Sequence, residues 1–227
     1  MTFAKNILSF FKSLDLDIDL PPGVNVMNPF VDSETYGLCK QFYNKYYNDN
    51  NERHIIMGIN PGRFGGGITG IPFTDPIRLE VVCNIQNDFK KKQELSSVFI
   101  YEMIAAFGGT KNFYNQFYIS SISPLGFTKG NKNLNYYDDK KLEQSIKHFV
   151  IKSLQVQIDF GINEDIAFCL GEGKNLVYFT RLNNEMKFFK KIIGLPHPRF
   201  IMQYKLKKKH EYIDRYLCEL GKATALK

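Results

Sequence analysis

The sequence predicts an α/β fold, a single three-layer domain whose four-stranded, mainly parallel central sheet is flanked by helices. Two observations carry the prediction. Four short runs, HIIMGI (54–59), FYISSIS (117–123), DIAFCLG (165–171) and KIIGLP (191–196), are rich in β-branched and aromatic residues, as strands buried on both faces are. Segments of helical periodicity lie between them, and alternating strands and helices imply a parallel sheet covered on both sides.

The elements follow in chain order. Residues 1–23 form an N-terminal helical extension, with Phe3, Ile7, Phe10, Phe11 and Leu14 at helical spacing and charges between them. ELSSVFIYEMIAAF sets Leu95, Val98, Phe99, Met103 and Ala106 on one helix face and stops at Gly108-Gly109. KKLEQSIKHFVIKSLQVQI does the same with Leu142, Ile146, Phe149, Leu154 and Ile158, after a cap at Asp138 or Asp139 and before Gly161. Residues 203–227 read as a basic C-terminal helix. No repeat, low-complexity segment or linker divides residues 1–227, so one domain is expected.

Composition narrows the function classes. At 227 residues and 44% hydrophobic content the chain buries a full core without staples. Cys39, Cys83, Cys169 and Cys218 lie far apart, with no CxxC pair and no His at ligand spacing, so reduced thiols are expected and no metal or other cofactor. No apolar stretch is long enough to span a membrane, and no cleavage site follows the first helix. The expected location is intracellular, cytoplasmic or with the nucleoid if the source is bacterial, and the expected state a monomer. A net charge of +7 is compatible with a polyanionic partner. The excess gathers from Arg199 to Lys227, where eight basic residues face three acidic ones, although a run such as KLKKKH also suits a plain solvated helix start.

In open α/β sheets ligands gather outside the carboxyl ends of the strands, so the four turns there matter most. The first strand leads into GINPGRFGGGITGIPF (58–73), with six glycines and two prolines. It matches neither GxxxxGK[ST] nor GxGxxG and is not a phosphate loop. It places an amide, Asn60, at the strand end, then a Pro-Gly turn, bare backbone that can approach a planar ring, and Phe73, which can stack on one. After the fourth strand, His197 is held between Pro196 and Pro198 at the same sheet edge, whereas His54, His148 and His210 sit in a strand, a helix and the basic tail.

At these residues the chain resembles a known family, the single-strand-selective monofunctional uracil-DNA glycosylases of the uracil-DNA glycosylase superfamily. GINPGRFGGGITGIPF is similar to the family's GMNPGPFG...TGVPFG motif, and LPHPRF to its LPHPSPRN motif; VMNPF (26–30), SPLGF (123–127) and KNLNYYD fall in the family order, so the likeness covers about Val24 to Arg199. The resemblance implies a uracil-DNA glycosylase-like fold and a DNA partner, single-stranded, with double-stranded DNA left open. It implies hydrolysis of the bond between a damaged base and deoxyribose, without cofactor or covalent intermediate. Asn60 would hold the attacking water, and His197 would stabilise developing charge. Phe73 falls on the family's stacking Phe, with Ile59, Gly62 and Phe64 lining the base pocket. Arg199, Phe200, Ile201 and Met202 occupy the wedge position, and Lys205, Lys207, Lys208 and Lys209 would meet DNA phosphates.

Two departures from the family pattern bear on specificity. The Ser-Pro insertion before Arg199 is missing, which shortens the wedge and favours nucleotides that flip easily. Ahead of SPLGF the family carries an Asn that reads the uracil edge, and the matching residue here is Ser121, whose hydroxyl cannot supply both partners of an amide. Main chain, water, or Asn133 or Asn135 are the candidates to replace it, the two asparagines equally suiting plain loop and capping roles. Uracil is the expected base; hypoxanthine and xanthine stay open, as does a catalytically silent DNA-binding relative. A calcium-type nucleoside hydrolase lacks its aspartate cluster here, and a zinc deaminase its HxE and PCxxC.

Overall fold

A strand whose two faces are both covered has no polar face, and Arg53–Gly58 is buried at every position. The computed structural model describes residues 1–225, so the last two residues of the expected 203–227 helix lie outside the described residues. In chain order the elements are α1 (Phe3–Ser13), β1 (Val24–Met27), α2 (Ser33–Tyr47), β2 (Arg53–Gly58), α3 (Gly66–Thr69), α4 (Pro76–Val81), α5 (Leu95–Ala106), α6 (Gly109–Gln116), β3 (Phe117–Ser121), β4 (Gly126–Lys129), β5 (Lys132–Leu134), α7 (Lys140–Ser145), α8 (Lys147–Ile158), β6 (Ile162–Leu170), α9 (Lys174–Met186), β7 (Lys191–Leu195), α10 (Pro198–Tyr204) and α11 (Lys209–Thr224). Short 3-10 turns cover Pro29–Val31 and Leu206–Lys208.

Among the described residues, the four expected strands form one parallel sheet in the order β3-β2-β6-β7. The register sets Gly58 beside Ser121, Met57 beside Cys169, and Leu170 beside Leu195. Because these ends are level, the residues that follow each strand emerge along a single edge. A second, three-stranded antiparallel sheet, β1-β4-β5, lies outside the expected architecture. Its strands hold three or four residues each, too few for alternation to show, and β1 finds β4 about a hundred residues further on. That sheet brings residues 133–137 back to the loop after β2.

Several element expectations are corrected. α1 ends at Ser13, yet Phe3, Ile7, Phe10, Phe11 and Leu14 are all buried as its spacing requires. In α5 the buried set is shifted: Phe99, Ile100, Met103 and Ile104 are inside, while Leu95 is exposed. That helix is apolar nearly all round, so its periodicity does not fix a face. The expected helix over 140–158 is broken at Ile146 into α7 and α8, started by Asp139, whose Oδ1 accepts from Lys141 N–H (3.0 Å) and Leu142 N–H (3.3 Å). The basic C-terminal helix is in fact the end of α10, a 3-10 turn and α11.

One charge is buried at the start of β2. Arg53 is fully buried, donates from Nε to Tyr114 O (2.7 Å), meets both carboxylate oxygens of Asp49 (2.8 and 2.9 Å), and lies 4.8 Å from the Phe3 and Tyr47 rings. Burying a guanidinium is tolerable only with such pairing. Among the described residues no helix is long and apolar enough to cross a membrane.

Candidate active site

The level strand ends open onto a cleft of about 420 Å³, lined by Asn60, Phe73, Ser121, Asn133, His197 and Arg199 among others. Asn60 leaves β2 where the Pro-Gly turn ends the strand. Its amide is held from both ends: Nδ2 donates to Leu134 O and Pro61 O (3.3 Å each), and Oδ1 accepts from Tyr136 N–H (3.1 Å). With both Nδ2 hydrogens engaged, the remaining capacity is one lone pair on Oδ1. The residue therefore offers the cleft an acceptor in a fixed orientation.

A further set of bonds steadies that orientation. Tyr136 donates its hydroxyl to Asn175 Oδ1 (2.7 Å), and the Asn175 amide donates to Leu170 O (3.0 Å) at the end of β6. Asn175 is buried beneath the cleft. Neither residue drew attention in the sequence, where Tyr136 lies in an aromatic pair and Asn175 opens an ordinary helix; the GEGKN turn after β6 was the available signal.

His197 caps α10, and its Nδ1 accepts from Arg199 N–H (3.1 Å). That bond assigns the ring proton to Nε2, leaving Nε2–H as the donor. Burial, then the positive charge of Arg199, pushes the imidazole down to about 4. His197 is neutral at pH 7, an uncharged donor lining the same cleft as the acceptor of Asn60.

Phe73 stands 5.9 Å from the His197 ring, tilted by 52°. Its backbone is left-handed at φ 53°, a strained conformation for a phenylalanine that costs on the order of 1–3 kcal/mol. The surrounding turn holds it there: Thr69 donates its hydroxyl to Thr74 O (2.7 Å), and Thr74 N–H bonds Ile71 O (3.2 Å). Gly58 makes room for the ring, because a Cβ there would lie 2.8 Å from Phe73 Cε2. The missing side chain at the end of β2 thus has a steric cause. A Cβ on Gly65 would likewise overlap the carboxyl of Glu94, which lines the cleft wall.

Glu94 was not singled out from the sequence beyond its place at a helix start. Burial, followed by the nearby charge of Asp75, pushes its carboxyl up to about 7, against the opposing pull of Arg199 and the Ser96 hydroxyl. Asp75 itself is engaged, since its carboxylate accepts from Arg78 N–H (2.8 Å) and Glu94 N–H (2.9 Å).

The remaining sequence-derived residues are placed as follows. Ile59, Gly62, Ser121 and Asn133 line the cleft. Ser121 is buried at the end of β3, and its hydroxyl has no protein hydrogen-bond partner among the described residues. Asn133 uses Oδ1 to accept from Arg63 N–H (3.1 Å), which ties β5 to the glycine loop, and Asn135 donates to Asp138 Oδ2 (2.8 Å) in a local turn. Phe64, expected in the base pocket, does not line the cleft. It is exposed beside a smaller recess of about 140 Å³, with Lys92 Nζ 3.7 Å from its ring centroid.

At the expected DNA-facing segment, Arg199 and Phe200 line the cleft and are exposed. Ile201 is fully buried, a correction to its expected place on the surface: the helical turn points it inward. Lys205, Lys207 and Lys208 are exposed, and Lys208 pairs with Glu211 (3.4 Å). Lys209 is instead held by Glu102 (2.5 Å) and only partly exposed. Among the described residues, no three or more His, Cys, Asp or Glu side chains are grouped to hold a metal ion.

The family model of the Uracil DNA glycosylase superfamily matches residues 44–221. The crystal structure of wild-type Pedobacter heparinus SMUG2 superposes with a TM-score of 0.96 at 52% sequence identity, covering 99% of each chain. Among curated proteins no match was found. The family match and the structural likeness make the protein a DNA glycosylase, a hydrolase acting on N-glycosyl bonds in DNA repair. The chain belongs to the uracil-DNA glycosylase superfamily, as a SMUG-type member.

Proposed function

We propose that the enzyme flips a deaminated base, uracil first, out of DNA and hydrolyses its glycosidic bond to leave an abasic site. The observation that carries this reading is the pairing of a fixed acceptor, Asn60 Oδ1, with a neutral donor, His197 Nε2–H, along one cleft. As the bond to the base breaks, the sugar becomes oxocarbenium-like and the base takes negative charge. Oδ1 holds a water by one of its protons on the sugar side. Nε2–H donates to the departing base, and a donor already aimed at developing charge acts without reorganisation. The neutral imidazole fills this role with both nitrogens fixed, Nδ1 accepting from Arg199 N–H while Nε2–H is left to donate.

Phe73 supplies a face for the extruded base, and Ile59 and the bare backbone at Gly62 line the pocket beside it. Arg199, Phe200, Lys205, Lys207 and Lys208 would meet the strand, recovering the roughly few kcal/mol spent on unstacking the target. A second reading, hypoxanthine or xanthine as the base, is favoured by Ser121. Its unpaired hydroxyl gives or takes one hydrogen bond and so discriminates bases less than an amide. Base release from matched single-stranded and duplex oligonucleotides containing uracil, hypoxanthine or xanthine tests the assignment. Uracil is expected to leave fastest. A faster purine would transfer the assignment to the second reading, and no release from any of the three would refute both.

A further inference from the structure

Phe73 keeps its left-handed backbone only while the peptide planes on both sides of it are held, because φ and ψ are the rotations between those planes. The plane after it is held by Thr74 N–H, which bonds Ile71 O (3.2 Å). The plane before it carries Pro72 O, which accepts from the Thr74 hydroxyl (3.2 Å). With its proton committed to Pro72, Thr74 Oγ1 accepts from the Tyr101 hydroxyl, 2.9 Å away. The Tyr101 oxygen accepts in turn from the Tyr114 hydroxyl (3.2 Å) and from the Cys83 thiol (3.2 Å), which leaves its own proton for Thr74. The hydroxyls thus run in one direction, from the core to the carbonyl that precedes Phe73.

Thr74, Cys83, Tyr101 and Tyr114 are all buried, and none of them lines the cleft. Tyr101 lies one turn after Ser97 on α5, and Ser97 Oγ accepts from Asp75 N–H (3.2 Å). One face of the helix therefore meets the turn after Phe73 with two hydroxyls. Burying a tyrosine hydroxyl is costly unless it is bonded, and packing alone at position 101 would be met by phenylalanine.

We infer that Tyr101 is a positioning residue for the reaction: through Thr74 it holds the Phe73 ring where the extruded base meets it. The inference rests on the base-flipping reading above and adds to it a residue outside the cleft. Without the Tyr101 hydroxyl the Thr74 hydroxyl is free to turn, Pro72 O loses its fixed partner, and Phe73 relaxes from its strained backbone. The ring then no longer stands ready for the base.

The test measures the affinity of the full chain for single strands that carry an uncleavable 2′-fluoroarabino nucleotide of uracil, hypoxanthine or xanthine, or a tetrahydrofuran abasic analogue. The ratio of base-bearing to abasic affinity reads what the base itself contributes. Tyr101→Phe and the near-isosteric Thr74→Val are each expected to lower this ratio about fivefold with abasic affinity unchanged, while Thr74→Ser, which keeps the hydroxyl, retains it. In a Phe73→Ala background neither Tyr101→Phe nor Thr74→Val should change the ratio further. A ratio that Tyr101→Phe leaves intact, or that falls equally with and without Phe73, would overturn the positioning role and make Tyr101 a packing residue. Lost stability alone lowers both affinities in step and cancels in the ratio. Should Tyr101→Phe not fold, Thr74→Val and Thr74→Ser decide by the same ratio. If a purine rather than uracil raises the wild-type affinity, the assigned base is refuted and the coupling is read on that purine. A wild type that binds all three bases no better than the abasic strand refutes the stacking and the positioning role together.

Discussion

Glu94→Gln removes a charge that the fold holds at a cost. The carboxyl lies against the bare Cα of Gly65 on the cleft wall, half-buried, with the negative Asp75 nearby. Its ordinary value of 4.5 is pushed up to about 7. The native state therefore holds this proton more tightly than the unfolded chain does. Stability from the protonated form is full below pH 4.5, falls as pH rises from there, and is lost above about 7. The interval corresponds to a ceiling of roughly 3 kcal/mol, and partial exposure to solvent reduces the expectation to about 1–2 kcal/mol. Glutamine keeps the shape and loses the charge. At pH 8 the variant should be the more stable by that amount, which at roughly 2–4 °C per kcal/mol in a chain of this size raises Tm by several degrees. At pH 4.5 the difference should nearly vanish. Thermal unfolding of both proteins at the two pH values measures it. A gain independent of pH, or a variant less stable at pH 8, would refute the burial argument.

The other expectations concern the reaction. His197 has its imidazole depressed to about 4, so the cation is disfavoured in the fold; its contribution to stability is full above 6.5 and is lost as pH falls toward 4. In a Glu94→Gln background, single-turnover base release should accordingly stay level from pH 8 down past 6.5, and a limb near 6.5 would mean that His197 ionises freely. Phe73→Ala should weaken binding of DNA that carries a flipped base by about tenfold while sparing undamaged DNA, read by fluorescence anisotropy; equal losses would make Phe73 a packing residue only. Replacing Lys205, Lys207 and Lys208 together by alanine should flatten the slope of log affinity against log salt on single strands by about 2, and an unmoved slope would remove all three from the interface.

Much of this arrangement can be read from residues alone. β2, β3, β6 and β7 are short, apolar and β-branched, and strands buried on both faces leave that mark whatever their neighbours are. Asn60 and His197 are visible because each follows such a strand beside a proline that stiffens its backbone. What escapes the sequence is set by distant contacts. The β1-β4-β5 sheet depends on pairing across the chain. The bonds from Tyr136 and Leu134 that orient Asn60 come from backbone groups, which residue types do not report. Phe73 has φ 53° although nothing in its own identity favours it; the hydrogen bonds of Thr69 and Thr74 impose it. The inward turn of Ile201 belongs to a seven-residue helix, too short for periodicity to assign a face. Glu94 resembles any acidic residue at a helix start until the fold brings Asp75 and Gly65 against it.

The central claim is that Asn60 serves the chemical step rather than the grip on DNA. The most direct measurement is single-turnover release of uracil from a single strand by wild type and Asn60→Ala, with the dissociation constant of each taken on the same oligonucleotide. The account predicts a rate lowered by about 10²–10⁴-fold with the dissociation constant nearly unchanged. A rate that survives, or an affinity that falls in step with it, would contradict the account.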